Sequence, residues 1–127
     1  MVARDIMTCS VYTIPPEASV QEVAQFLDRN HISCAPVLNH DGKLIGVVTQ
    51  ADINGKVDRE GLRVADIMSC EIYPVEEETG VDEIARLLMQ HRIKRVPVLH
   101  EGKLVGLVCH TDIIHAVAEG YVILRNW

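Results

Sequence analysis

The chain contains no apolar run long enough to cross a bilayer, which takes about 20 residues in a helix. Its first five residues, MVARD, also lack the apolar segment of a secretory signal. These two absences predict a cytoplasmic protein without a membrane span. Basic residues are outnumbered, because 12 Lys and Arg stand against 18 Asp and Glu for a net charge of −6. This balance argues against nucleic acid as the main partner, since phosphate binding depends on concentrated Lys and Arg.

Motifs for disulfides, metals and catalysis are missing as well. The four cysteines form no C-x-x-C pair, and the six histidines form no H-x-x-x-H or H-E-x-x-H pattern, so neither a disulfide framework nor a metal site is predicted. Cys9 and Cys70 are predicted to be small, partly buried packing residues. Redox sensing by Cys34 or Cys109 stays open, with plain packing favoured. No nucleophile with a base and no shared carboxylate pair is evident, which predicts a protein that is not an enzyme.

What the chain does contain is a repeat. Residues 5–9 (DIMTC) return as 66–70 (DIMSC), 36–38 (PVL) as 97–99, and 42–46 (GKLIG) as 102–106 (GKLVG). A period of about 60 residues indicates two related units of one architecture. At 127 residues, the chain is predicted to form a single module over 1–127 with one core. The predicted repeats cover 1–57 and 64–119, and residues 120–127 form a C-terminal tail.

The first copy reads as strand, helix, strand, strand, helix, which is an α+β (α/β-like) pattern. A strand is predicted over 11–14, and apolar residues at helical spacing predict a helix from Ser19 to about Asn30. The S-x-x-E sequence from Ser19 to Glu22 predicts a capping box at its start. A hairpin is predicted from 35–38 and 44–48, followed by a helix that opens at Thr49 and ends near Asn54.

The second copy repeats this order. Its predicted elements are a strand over 72–75, a helix beginning at Val81, a hairpin from 96–99 and 104–108, and a last helix over 110–119. Residues 55–63 between the copies are polar and read as a surface linker. The apolar residues after Gly120 are predicted to dock on the chain's own core or on another subunit.

In each copy a hydrophobic strand leads directly into a polar helix start, GVVTQAD at 46–52 and GLVCHTD at 106–112. A carboxylate three residues after a threonine, as in Thr49 and Asp52, is suited to accept two hydrogen bonds from a ribose diol. The same pair also forms a helix cap, which alone is worth about 1 kcal/mol. Capping and ligand binding are compatible, and the residues alone leave both open.

The order of these motifs resembles the cystathionine-beta-synthase (CBS) domain, and the two copies resemble a CBS domain pair. The D-I-M start, the P-V before a hairpin turn with G-K, and the T-x-x-D corner carry the resemblance over nearly the whole chain. It implies two β-α-β-β-α repeats packed pseudo-symmetrically through their sheets. It also implies an adenosine-containing ligand such as AMP, ATP or S-adenosylmethionine, and a disc-like dimer of modules.

The resemblance also implies ligand-binding residues. In the family's pattern, Thr49 and Asp52 hold ribose. Positions that line adenine or the cleft correspond to Ile14, Cys34, Ala35 and Pro36 in the first copy, with Val75, Val96, Pro97, Cys109 and Asp112 matching in the second. Cys109 departs from the family's hydroxyl residue. Because a thiol is a poor hydrogen-bond partner, the second site is expected to bind weakly or to be lost.

The segment HRIKRVP at 91–97 resembles the basic segment with which nucleotide-binding members hold phosphate. Lys94 and Arg95 are expected to reach the phosphate across the cleft, while Thr49 and Asp52 hold the ribose. His110 is expected to contact phosphate or water. An ordinary solvated surface is the alternative for this basic cluster.

Together these features predict a stand-alone regulatory module that binds AMP, ATP or another adenosyl compound and signals by conformational or oligomeric change. No cofactor is required, and a homodimer with an unidentified protein target is expected. A ligand-free dimerisation scaffold is the alternative, supported by Cys109. Nucleic-acid binding, known for some family members, is a third possibility that the acidic composition disfavours.

Overall fold

The computed structural model describes residues 1–9, 11–54 and 61–120. Its described elements combine helices with one two-stranded and one three-stranded sheet. The helices are α1 (Ala3–Ile6), α2 (Val20–Arg29), α3 (Gln50–Asn54), α4 (Val64–Ile67), α5 (Val81–His91) and α6 (His110–Ala118). The strands are β1 (Cys34–Leu38), β2 (Leu44–Thr49), β3 (Val75–Glu76), β4 (Arg95–His100) and β5 (Lys103–Cys109). No helix within these ranges is long and apolar enough to span a membrane.

The chain folds into two compact units whose limits differ from those of the sequence repeats. One unit, here the split unit, combines Met1–Val11 with the chain from Tyr73 onward. The other, the continuous unit, runs over Tyr12–Ile72. The start of the first repeat therefore packs with the body of the second. The predicted repeat limits and the single module over 1–127 stay predictions.

The continuous unit contains the predicted hairpin. Strands β1 and β2 pair antiparallel, with Cys34 opposite Thr49. In the connecting turn, the Asn39 side-chain oxygen accepts hydrogen bonds from the amides of Asp41 (3.0 Å) and Lys43 (2.9 Å). This turn chemistry is what asparagine at a loop start provides, so the predicted hairpin is confirmed.

The split unit contains the three-stranded sheet. Strand β4 pairs parallel with β3 and antiparallel with β5. The turn between β4 and β5 has only two residues, Glu101 and Gly102, both with positive φ (50° and 80°). Two consecutive positive φ values are typical of the tight turn that joins two-residue hairpins. Between the PVL and GKL motifs the second repeat has one residue fewer than the first. This difference lies in the turn, where it leaves the strand pairing intact.

Helices α2 and α5 form where helical spacing predicted them. The Ser19 hydroxyl oxygen accepts the Glu22 amide at 3.1 Å, which confirms the serine half of the predicted cap. The glutamate half differs, because the Glu22 carboxylate accepts the Ser19 hydroxyl (2.9 Å) rather than a backbone amide. Gly80 occupies the N-cap position of α5 and makes no side-chain cap.

Buried apolar residues form two clusters in the described ranges, whereas chain length predicted one core. Each cluster joins one face of a hairpin to the apolar stripe of one long helix, so each unit has its own set of buried side chains. The cluster of the split unit contains Ala3, Val75, Val81, Ile84, Ala85, Leu88, Val96, Val98, Val108 and Ile113. That of the continuous unit contains Ile14, Val20, Val23, Ala24, Leu27, Ala35, Val37, Val48, Ile53 and Val64.

The start of each repeat differs from the prediction. The strand predicted over 11–14 is reduced to one parallel bridge between Ile14 and Val37, and the strand predicted over 72–75 is observed at Val75–Glu76. Short helices α1 and α4, which the apolar pattern did not predict, occupy the D-I-M segments. Four residues are too few to show a helical period, which explains the omission.

The methionine of each D-I-M segment contacts a strand glycine that belongs to the other repeat. A β-carbon built on Gly106 would lie 2.7 Å from the sulfur of Met7, and one built on Gly46 would lie 2.7 Å from the sulfur of Met68. The following residues, Thr8 and Ser69, form antiparallel bridges to β5 and β2 respectively. These contacts explain why the D-I-M and glycine motifs recur together.

The prediction that Cys9 and Cys70 are partly buried is wrong, because both are exposed. The edge pairing of each segment ends one residue earlier, at Thr8 and Ser69, so the cysteines follow the last paired position. Most of the predicted linker, residues 55–60, and tail residues 121–127 lie outside the described ranges. The described end of the linker is held in place, since the Leu62 carbonyl accepts the Val20 amide at 3.0 Å.

Candidate functional site

The corner between β2 and α3 is built by two reciprocal hydrogen bonds. The Asp52 carboxylate accepts the Thr49 amide at 2.9 Å, and the Thr49 hydroxyl oxygen accepts the Asp52 amide at 3.1 Å. Both side chains are half-buried. The helix-capping role of this pair is therefore confirmed.

The cap leaves part of both side chains available. Only Oδ2 of Asp52 is used, and its Oδ1 accepts no hydrogen bond from the described residues. The Thr49 oxygen accepts a bond but its hydroxyl proton is donated to no described group. Asp52 also forms no ion pair with any residue that the structure describes. One charged acceptor and one hydroxyl donor thus remain side by side, which suits a vicinal diol whose hydroxyls both donate and accept.

Among the described helices, the same aspartate cap occurs at the start of α1, α3, α4 and α6. Asp5, Asp66 and Asp112 each accept the amide of the residue three positions before, at 2.8 Å, as Asp52 does at 2.9 Å. A cap alone therefore does not mark a binding site. The residue at the start of the cap differs, and only Thr49 provides a hydroxyl among Val2, Thr49, Arg63 and Cys109.

The corner between β5 and α6 lacks this hydroxyl. Asp112 accepts the Cys109 amide at 2.8 Å, but α6 has no side-chain cap from Cys109. The Cys109 sulfur lies 3.5 Å from Nδ1 of His110. Since a thiol is a weak donor and acceptor, this corner offers a carboxylate oxygen without a neighbouring hydroxyl.

Basic residues lie beside the corner of the split unit. The Lys94 carbonyl accepts the His110 amide at 2.7 Å, and Arg95 is opposite Cys109 in the strand register. Lys94 is exposed and Arg95 is half-buried. The fold therefore brings together five of the predicted site residues within one unit: Lys94, Arg95, Cys109, His110 and Asp112.

The equivalent positions of the continuous unit are uncharged. The Ser33 carbonyl accepts the Gln50 amide at 2.8 Å, and Cys34 is opposite Thr49. The two corners thus share their backbone connections and differ in side chains. One combines a hydroxyl with neutral neighbours, and the other combines a thiol with two basic neighbours.

The apolar candidate residues lie in the cores. Ile14, Ala35 and Pro36 are buried in the continuous unit, and Val75, Val96 and Pro97 in the split unit. Their predicted contact with adenine stays a prediction. Ile14 also lines a cavity of about 210 Å³ in the continuous unit. The other lining residues, which sequence patterns did not single out for a site, are Thr13, Pro15, Ala18, Glu22, Val23 and Phe26.

A second cavity, of about 270 Å³, lies in the split unit between α1 and α6. It contains two of the capping carboxylates and an imidazole. Its lining residues are Met1, Asp5, Ile6, Asp112, His115 and Ala116. The described ranges contain no group of three or more His, Cys, Asp or Glu side chains arranged to hold a metal ion.

The family is shown by a direct match of both repeats. Residues 3–58 and 64–119 each match the CBS domain. The chain therefore belongs to the CBS domain family and carries two copies of the domain. The predicted resemblance to a CBS domain pair and the predicted mixture of helices and sheets are both confirmed.

Relatives and solved structures agree with this assignment. The CBS domain-containing protein YhcV of Bacillus subtilis (strain 168) is 29% identical over 114 residues, covering 87% of this chain and 81% of the relative. The CBS domain pair of protein MJ0100, solved with 5′-methylthioadenosine and S-adenosyl-L-methionine, superposes with a TM-score of 0.87 at 26% identity, covering 94% of this chain and 98% of that one.

A second similar structure is the cytosolic domain of the Mg²⁺ channel MgtE in complex with ATP. Its TM-score is 0.79 at 30% identity, and the match covers 91% of this chain but only 48% of that one. Structures similar to this chain have thus been solved with adenosine-containing ligands.

Proposed function

We propose that this CBS pair is a regulatory module that binds an adenine nucleotide, AMP, ATP or a related adenosyl compound, and transmits binding through a conformational or oligomeric change. Family membership and the ligands of two similar structures support the class of ligand. The module acts by binding rather than by catalysis, and it associates as a homodimer.

One observation carries the proposal. The Thr49–Asp52 cap is closed on itself, yet it retains a carboxylate oxygen and a hydroxyl proton without a described partner. The cap fixes both side chains, so little conformational entropy is lost when a ligand binds them. A ribose diol would accept a hydrogen bond from the Thr49 hydroxyl and donate one to the free oxygen of the Asp52 carboxylate. The carboxylate repels phosphate, which orients the sugar toward the corner.

We assign the phosphate to Lys94 and Arg95. Charge-assisted hydrogen bonds from lysine and arginine are among the strong contacts to phosphate. The surrounding chain is acidic, with a net charge of −6, so a local pair of cations favours a small anion over a polymer. His110 joins this cluster because its backbone amide donates a hydrogen bond to the Lys94 carbonyl.

Regulation requires that the ligand prefer one state of the module. A ligand with equal affinity for two arrangements shifts neither of them, however tightly it binds. Adenosine and its nucleotides share the ribose contact and differ only in the charged tail. We therefore assign affinity to the ribose corner and the response to phosphate number to the basic residues.

The decisive experiment compares two aspartate variants in calorimetric titrations with AMP, ATP, adenosine and S-adenosylmethionine. Asp52→Asn keeps an acceptor for the Thr49 amide but replaces the second oxygen by an NH₂ donor. Asp66→Asn makes the same change in the matching cap of α4, where no hydroxyl is present. Loss of one hydrogen bond to a charged group predicts an affinity about tenfold lower, or more, for Asp52→Asn alone.

Equal affinities in the two variants would refute the ribose role of Asp52. Thermal unfolding provides a second measurement, because a ligand at a hundredfold excess over its Kd adds about 2.7 kcal/mol to stability. A tenfold loss of affinity lowers that gain to about 1.4 kcal/mol, so Asp52→Asn should remove about half of it or more, while Asp66→Asn should keep it.

A ligand-free dimerisation scaffold is the second candidate, because Cys109 removes the hydroxyl from one of the two corners. It predicts no thermal shift with any of the four compounds and an oligomeric state that does not change when they are added. A shift with any one compound would exclude it.

A further inference from the structure

The corner between β5 and α6 places a thiol beside an imidazole. The Cys109 sulfur lies 3.5 Å from Nδ1 of His110, and both residues are half-buried. In the imidazole tautomer that carries its proton on Nε2, Nδ1 accepts the thiol proton. A nucleophile in contact with a base is the arrangement that activates a cysteine.

The backbone holds both members of this pair in place. Cys109 is the N-cap of the nine-residue helix α6, and its amide donates to the Asp112 carboxylate at 2.8 Å. The His110 amide donates to the Lys94 carbonyl at 2.7 Å. Because both backbone positions are fixed, bringing the sulfur and the imidazole together costs little further conformational entropy.

The charges around the sulfur favour an anion. Lys94 precedes Arg95, which is opposite Cys109 in the strand register, and the start of α6 adds a partial positive charge. Asp112 opposes this effect with one negative charge, since its carboxylate accepts the Cys109 amide. Thiolates are favoured at helix starts and beside lysine, arginine or histidine. The two cations, the imidazole and the helix start outweigh the one carboxylate.

The corner of the continuous unit shows that the fold does not require this pair. The equivalent residues there are Thr49 and Gln50, which make the same backbone hydrogen bonds without a thiol or an imidazole. Ser33 and Cys34 stand in place of the two basic residues. Thiol, base and both cations thus occur together in one corner, although the backbone geometry depends on none of these four side chains.

We infer that Cys109 is a thiol–disulfide exchange site for small disulfides that carry carboxylates, with His110 as its base. The thiol proton moves to Nδ1, and the Cys109 sulfur attacks one sulfur of the small disulfide. A new S–S bond to Cys109 forms as the S–S bond of the small molecule breaks. The released thiolate takes the proton from the imidazolium. Cys109 is thereby oxidised to a mixed disulfide, and the released half is reduced to a thiol.

Exposure alone predicts a different order of reaction among the cysteines. Cys9 and Cys70 are exposed, whereas Cys34 and Cys109 are half-buried. If access decided the rate, the two exposed thiols would react first. The inference predicts that Cys109 reacts first, by about tenfold or more, because a positioned base contributes at least that much.

Oxidised glutathione, a disulfide with several carboxylates, is the probe that tests the inference. Trypsin places the four cysteines in four different peptides, because Lys or Arg lies between each of them and the next. Mass spectrometry of these peptides, after remaining thiols are blocked with N-ethylmaleimide, gives the rate of adduct formation at each cysteine. His110→Gln introduces the residue found at the equivalent position 50, and it should lower the Cys109 rate about tenfold or more. The matched control is His115→Gln on the same helix, which should leave that rate unchanged.

A second arm tests the class of disulfide by comparing oxidised glutathione with the neutral hydroxyethyl disulfide. Lys94→Gln should slow the reaction of Cys109 with oxidised glutathione about twofold to fivefold, as expected for loss of an exposed charge pair, and leave the neutral reaction unchanged. If Cys109 reacts no faster than Cys9 and Cys70, or if His110→Gln leaves its rate unchanged, the exchange site is refuted. Equal slowing of both disulfides by Lys94→Gln would refute the preference for anions.

Discussion

The side chain of Met7 lies against Gly106, at a distance that leaves no room for a β-carbon on the glycine. The two residues belong to different sequence repeats but to the same compact unit. Met68 and Gly46 have the same relationship in the continuous unit. The exchange of D-I-M segments therefore joins the repeats more closely than a single linker would.

Gly106→Ala should destabilise the protein. The new methyl group would lie 2.7 Å from the Met7 sulfur and 3.0 Å from the Thr8 carbonyl oxygen. A flexible methionine can move, but the backbone oxygen is held by pairing with β5. Overpacking of this kind costs about 1–3 kcal/mol, measured by urea unfolding.

The double variant Gly106→Ala with Met7→Ala provides the control. It removes the sulfur but leaves the backbone oxygen, so only partial recovery is expected relative to Met7→Ala alone. A Gly106→Ala protein as stable as the unaltered chain would show that the D-I-M segment is not held against β5.

The starts of α2 and α5 allow a paired test of capping. Ser19→Ala removes the acceptor of the Glu22 amide and should cost about 1 kcal/mol of stability. Gly80→Ser introduces the same acceptor at the matching position and should gain a few tenths of a kcal/mol. Its β-carbon would meet the movable end of Asp82 rather than backbone.

Both variants are measured by urea unfolding with the slope checked for constancy. Ser19→Gly is the control, since glycine is only slightly worse than serine at this position. A large loss for Ser19→Gly would mean that Ser19 acts through packing and not through its cap.

The sequence was a good guide where local chemistry and periodicity agree. The serine cap and the apolar spacing after it predicted α2, and the two apolar segments over 35–38 and 44–48 predicted the first hairpin. It was a poor guide to the D-I-M segments, whose helices are too short to show a period. Their stability depends on Met7 and Met68 contacting glycines distant in sequence, a contact that no local pattern reveals.

The sequence likewise predicted some residues of the candidate site and not others. The Thr49–Asp52 pair was visible as a strand followed by T-x-x-D, and its cap was found as predicted. The sequence did not predict the caps of Asp5 and Asp66, because valine and arginine stand three residues before them in place of a residue with a hydroxyl. An aspartate at the third position of a helix indicates such a cap, but only once the helix itself is known.

Lys94→Ala with Arg95→Ala should separate phosphate from ribose binding. Both residues lie beside the corner of the split unit, and neither is part of the Thr49–Asp52 cap. The double variant should weaken AMP and ATP by about tenfold or more, since bonds to charged groups contribute about 1.5–3 kcal/mol. Adenosine should bind almost as before.

Calorimetric titration measures the affinities for adenosine, AMP and ATP. As a control for net charge, Lys43→Ala with Lys103→Ala removes two exposed positive charges elsewhere. Equal losses for adenosine and AMP in the Lys94/Arg95 variant would contradict the phosphate assignment. Weakening by the control pair to the same degree would show a general effect of charge.

Exchange of the two corner residues tests why the units differ. Cys109→Thr provides the hydroxyl oxygen that accepts the Asp52 amide in the continuous unit, now for Asp112. Threonine also suits the end of a strand, so a stability gain of about 0.5–1 kcal/mol is expected from the completed cap.

If the corners are ribose sites, the same change should raise the number of AMP molecules bound or strengthen the weaker site. Thr49→Cys should weaken AMP binding at the corner of the continuous unit. The Asp52 carboxylate would still accept the backbone amide of residue 49. A Cys109→Thr protein with a completed cap and unchanged AMP binding would limit the role of that hydroxyl to the helix start, and would leave Thr49 without support as a ribose donor.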